Sequence, residues 1–119
     1  MTLTASRFTT IPQLVGASQN SPPLAQGANG KGVQALQIAL VELGFAMPRS
    51  TKDGTRLPDG IFGPETKSVV IEFQRANRLT PDGIAGRMTL QALDRLIVAE
   101  SERRAAEALR ESRQRSPFV

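Results

Sequence analysis

Pro58-Asp59-Gly60-Ile61-Phe62-Gly63-Pro64-Glu65-Thr66 returns 23 residues later as Pro81-Asp82-Gly83-Ile84-Ala85-Gly86-Arg87-Met88-Thr89. In each copy proline can hold the second position of a β-turn, aspartate can hydrogen-bond its own backbone, and glycine takes the conformation that closes the turn. The isoleucine that follows offers an apolar anchor, the second glycine can cap a helix, and Pro64 suits a first helical position. Each copy therefore encodes a bend, an anchor and a helix start. Recurrence in one small chain points to a duplicated loop-helix unit, and two copies are too few for a solenoid. The expected product is a compact all-α bundle of three helices, in which the two launched helices dock on a third.

That third helix lies upstream. Val33, Leu36, Leu40 and Leu43 recur at spacings of three and four, which predicts a helix over 31–43, with Gly30 at its start and Gly44 at its end. The first repeat launches a helix from Pro64 to about Asn77, with Val69, Val70, Phe73 and Ala76 as its inward stripe. The second launches one from Gly86 or Arg87, with Leu90, Leu93, Leu96 and Ile97 inward. Beyond Ala99 the chain turns to Arg, Glu and Ala, and pairs such as Arg103 with Glu107 extend a solvated helix towards Pro117. Upstream, Asn20-Ser21-Pro22-Pro23 argues against helix, so the first residues read as an irregular arm. Its Phe8, Ile11, Leu14 and Leu24 either lie across the bundle or belong to a disordered tail. The resulting division is an arm over 1–26, a three-helix domain over 27–98 and a charged helical extension over 99–119. Residues 45–57 form a long loop whose Arg49, Lys52 and Arg56 make either a lip for an acidic ligand or a solvated surface.

Composition narrows the chemistry. The 119 residues contain no cysteine and no histidine, which removes disulfides, thiolate metal sites, the usual zinc ligand and the commonest general base. All five aromatics are phenylalanine, so the core is aliphatic and there is no Trp or Tyr platform for stacking sugars or bases. A net charge of +4 favours acidic partners, among them nucleic acid, anionic lipid and carboxylate-bearing peptides. The first sixteen residues do not read as a secretory signal, and no stretch is expected to span a membrane, so any export requires another route.

Between residues 27 and 97 the pattern GxGVQALQxALxxLGF, then DGIFGPETxxxVxxFQxxNxL, then DGIAGxxTxxAL, resembles the small three-helix peptidoglycan-binding domain found beside cell-wall amidases, peptidases and phage endolysins. Gly32, Val33, Leu36, Gln37, Leu40, Leu43 and Gly44 fit the family's first helix. Asp59, Gly60, Phe62, Gly63, Thr66, Val70, Phe73, Gln74 and Leu79 fit the central signature, and Asp82, Gly83, Gly86, Thr89 and Leu93 its echo. The resemblance implies a non-catalytic bundle that holds bacterial cell wall through the stem peptide, as a targeting or anchoring module. Its implied partners are peptidoglycan and a cell-wall hydrolase, and it implies no cofactor. The loop at 45–57 is longer than is typical, Val69 stands at a commonly small position, and no enzyme module is attached, so the same fold could instead serve as a protein-protein adaptor in a phage or secretion assembly. Where it acts is not written in the sequence, beyond the wall or periplasm if it binds peptidoglycan.

The candidate ligand residues are Asp59, Phe62, Gln74, Arg75, Asp82 and Arg87. Asp59 and Asp82 could flank a scissile bond, but a Pro-Asp-Gly turn engages such a carboxylate locally, and one carboxylate per loop is too few for a calcium cage. Gln37 and Gln74 can either tie helix to loop or bond ligand amides. Phe62 fills the core or floors a shallow groove. Arg75, Arg78 and Arg87 either meet the free carboxylates of a stem peptide or stand solvated without a partner. Nucleic-acid binding is disfavoured because glutamates alternate with the arginines of the tail.

Overall fold

The structure is a computed structural model that describes residues 3–47 and 58–114. The loop cations Arg49, Lys52 and Arg56 and the far end at Pro117 lie outside these residues. The described residues form five helices and no strand: α1 (Ser6–Thr9), α2 (Pro12–Ala17), α3 (Lys31–Glu42), α4 (Pro64–Ala76) and α5 (Arg87–Gln114). The chain is thus all-α, and its three long helices begin where the turn residues call for them. Gly30 is the N-cap of α3; Gly63 is that of α4, with Pro64 in the first turn. The Gly86 carbonyl accepts the first helical bond of α5 from the Leu90 N–H at 2.9 Å.

α3 is the central element, in contact with each of the other four helices. Its Val33, Leu36, Ala39 and Leu40 are fully enclosed, together with Val70 and Phe73 of α4 and Leu90, Leu93 and Ile97 of α5. Phe45 meets Phe73 edge-on at 5.7 Å, a favoured aromatic geometry.

Four expectations need correction. First, the amino-terminal segment is not an irregular arm but carries α1 and α2, and Phe8, Leu14 and Ala17 are core residues. Helices of four and six residues cannot stand alone in water, and distant side chains hold these in place. The buried Asp94 carboxylate of α5 accepts hydrogen bonds from the Thr4 N–H (2.9 Å), the Ala5 N–H (2.7 Å) and the Thr4 hydroxyl (2.7 Å). Gln13 of α2 accepts from the Gly32 N–H and donates to the Asn29 carbonyl, and the Asn20 side chain accepts from the Arg87 N–H at 2.8 Å. Residues before 27 therefore cap α3 and α5.

Second, the isoleucines of the repeats do not anchor them. Ile61 and Ile84 are 57% and 40% exposed, whereas the next residues, Phe62 and Ala85, are buried. The reason is a strap formed by residues 24–30, which pairs with both loops. Leu24 and Ala85 exchange backbone hydrogen bonds; Gly27 N–H donates to the Phe62 carbonyl, and Phe62 N–H to that of Ala28. In this extended backbone neighbouring side chains alternate sides, so turning Phe62 and Ala85 inward turns the isoleucines out. Third, Ala76 is exposed because it ends α4 where the chain turns away. Fourth, Leu96 is 38% exposed while Asp94 occupies the buried face, because the inward row of α5 runs Leu90, Leu93, Asp94, Ile97.

Past Val98, α5 runs on with residues 101–109 exposed. Glu100 pairs with Arg103 (2.7 Å) and Arg104 (3.1 Å), and Arg103 approaches Glu107 at 4.0 Å.

Candidate ligand groove

The two Pro-Asp-Gly loops are built alike, each around a glutamine from the preceding helix. Gln37 Nε2 of α3 lies within hydrogen-bond distance of Asp59 Oδ1 (3.3 Å), the Ile61 carbonyl (3.1 Å) and Thr66 Oγ1 (2.9 Å), and its Oε1 accepts from the Gly60 N–H (2.9 Å). Gln74 of α4 repeats the set with Asp82 Oδ1 (2.9 Å), the Ile84 carbonyl (3.1 Å), Thr89 Oγ1 (3.0 Å) and the Gly83 N–H (2.9 Å). Each aspartate also accepts from the N–H two residues on, Ile61 or Ile84, which closes the turn. Gly60 and Gly83 share φ of 74°, a conformation that only glycine adopts without strain. A buried amide with its oxygen and nitrogen both engaged is a rigid joint. The glutamines thus join helix, loop and next helix, and this is the first of the two roles their sequence positions allowed.

The second joint opens on a groove of about 530 Å³. It is lined by Arg78, Leu79 and Thr80, just past the end of α4, and by Gly86, Arg87, Met88 and Thr89 at the start of α5. Gln74, Asp82 and Ile84 complete the lining together with Asn20 and Pro23 of the segment before residue 27. Met88, at 63% exposure, and Ile84 put apolar surface beside the two arginines.

Of the six candidate residues, Gln74, Asp82 and Arg87 line this groove. Asp59 and Phe62 belong to the first joint, where Asp59 is bonded to Gln37 and Ile61 and Phe62 is sealed in the core at 1% exposure. Arg75 is exposed on α4 and is not part of the groove wall. Sequence reasoning missed Asn20 and Pro23, which arrive from a segment read as an arm, and Met88, whose exposure depends on how α5 is rotated. Among the described residues there is no cluster of acidic side chains able to hold a metal, and no helix is long and apolar enough to cross a membrane.

Fold and groove together define a small helical binding module. Residues 29–93 match the peptidoglycan binding domain family, and the chain belongs to that family. It is 39% identical over 92 residues to an uncharacterized protein of Kitasatospora aureofaciens, covering 76% of this chain and 71% of the relative. It is 38% identical over 96 residues to the zinc D-Ala-D-Ala carboxypeptidase of Streptomyces albus G, covering 80% of this chain but only 35% of that enzyme. Among solved structures, the SleB N-terminal domain superposes with a TM-score of 0.54 at 32% identity, over 66% of this chain and 96% of that one. The match to the carboxypeptidase thus spans about a third of the enzyme, and the match to the SleB domain nearly all of it.

Proposed function

We propose that this chain binds bacterial peptidoglycan through its stem peptide, in the groove beside the second Pro-Asp-Gly loop, and that it targets or anchors without catalysing a reaction. The observation that carries the proposal is the coincidence of the family match over residues 29–93 with a groove lined by Arg78 and Arg87. Guanidinium groups suit carboxylates, which stem peptides carry. Asp82 supports no catalytic role in this reading, because one of its oxygens is held by the Gln74 amide and the Ile84 N–H. A shallow polar groove gains little beyond the cost of association, so retention on the wall depends on many copies or on a linked partner such as a cell-wall hydrolase.

The test is co-sedimentation with purified sacculi at low salt. The wild-type chain is expected in the pellet, and Arg87→Glu in the supernatant with unchanged helicity. A wild-type chain that stays in solution but captures a protein would replace this reading with the adaptor one.

A further inference from the structure

The two joints differ in what covers them. At the first, Met47 is buried, and its sulfur lies 4.0 Å from Thr66 Oγ1, the same hydroxyl that accepts from Gln37. At the second, Thr89 and Gln74, at 4% and 1% exposure, form part of the lining of the groove. The chain itself explains the difference. Both helices close in the same way, on a left-handed residue (Gly44, φ 99°; Arg78, φ 58°) followed by a backbone bond, Phe45 N–H to Leu40 O or Leu79 N–H to Gln74 O. After that, Phe45 precedes Pro58 by thirteen residues, whereas Leu79 precedes Pro81 by two. The longer connection brings Met47 over the first joint. The shorter one has no residue to spare for the second.

Resting on the peptidoglycan reading above, we infer that the groove at the second joint is the seat that Met47 fills at the first, and that it takes an unbranched aliphatic side chain of a stem peptide, tipped by a carboxylate. Methionine shows the shape the seat accepts: a narrow, flexible, unbranched chain. Leu79, Ile84 and Met88 supply apolar walls for the stem of the incoming side chain. Arg78 and Arg87 receive the carboxylate, and Asp82 stands nearby for an ammonium group on the same tip. A diamino-acid residue with both groups at its end meets these demands; a branched residue does not.

The experiment is calorimetric titration of the full chain with three synthetic stem tripeptides that differ only in the third residue: meso-diaminopimelate, lysine or leucine. The diaminopimelate peptide is expected to bind at least ten-fold more tightly than the leucine peptide, with lysine between them. Thr80→Trp and Met88→Trp, two independent ways of filling the groove, are each expected to weaken it ten-fold or more with unchanged circular dichroism and melting temperature. Equal affinity for the three peptides, or full affinity in both folded tryptophan variants, overturns the inference. If sacculi still sediment the chain in that case, wall binding stands and only the seat is wrong; if they do not, both fall.

Discussion

Gln37 and Gln74 show how one side chain can decide a local structure. Each amide bonds a glycine N–H, an aspartate, a carbonyl and a threonine, of which the glycine and the threonine are buried. Gln74→Leu removes the amide but keeps the bulk, taking from the buried Gly83 N–H its partner at about 1–3 kcal/mol, while the Ile84 carbonyl keeps the Gly86 N–H at 3.2 Å. Urea denaturation is expected to show a loss of about 1–3 kcal/mol, and no loss would mean water replaces the amide without penalty. The repeat itself offers a sharper contrast. Phe62→Ala is expected to cost about 3–5 kcal/mol by opening the core, whereas Ile61→Ser, one residue away, should stay within about 0.5 kcal/mol. Equal effects in the same denaturation assay would contradict the inward turn of Phe62. The aspartate and glycine roles in these loops were legible in the sequence because turn chemistry is local. The side on which each isoleucine falls was not, because it depends on pairing with residues 24–30.

The helices follow the same division. Caps within a few residues, such as Gly63 before Pro64, can be read directly, but α5 borrows its cap from Asn20, 67 residues away. Asn20→Ala is expected to cost about 1 kcal/mol and to raise amide exchange at Arg87 and Met88 while leaving α3 unchanged. Exchange rising evenly across the molecule would argue for a general loss of packing instead. At the other end of α5, the guanidinium of Arg103, with help from Arg104, holds the Glu100 carboxyl below its ordinary range. A depressed carboxylate stabilises the folded form above its unfolded pKa, and that contribution is lost as pH falls through the lowered value. Carbon shifts of residues 100–107 should therefore lose helical character as the solution is acidified, and Glu100→Gln should flatten the transition. Because Arg103 and Arg104 are exposed and Glu100 keeps contact with solvent, added salt should flatten it too. An unchanged profile in the variant would mean the pairs contribute nothing to the tail.

For the molecule as a whole, the amino-terminal segment is the part that changes the picture. Phe8, at 1% exposure, and Leu14, at the same value, belong to the single core with α3 and α5. Phe8→Ala is expected to destabilise the entire domain by about 3–5 kcal/mol in one cooperative transition. A separate early transition, with α3–α5 melting as before, would mean that α1 and α2 are an appendage after all. The same segment matters for binding, since Asn20 and Pro23 form part of the groove lining. The groove is therefore assembled from the segment before residue 27, the end of α4 and the start of α5, and no stretch of sequence contains it.

By itself, the sequence determined the three long helices, the two aspartate turns and the family, because capping, helical periodicity and turn geometry act over a few residues and leave their marks side by side. Only the tertiary structure decided that α1 and α2 complete the core, that Asp94 sits on a buried face, and that Met47 lies against one glutamine joint while the other borders the groove. Those outcomes turn on partners tens of residues apart, brought together when α3 is enclosed, and spacing along the chain carries no record of them.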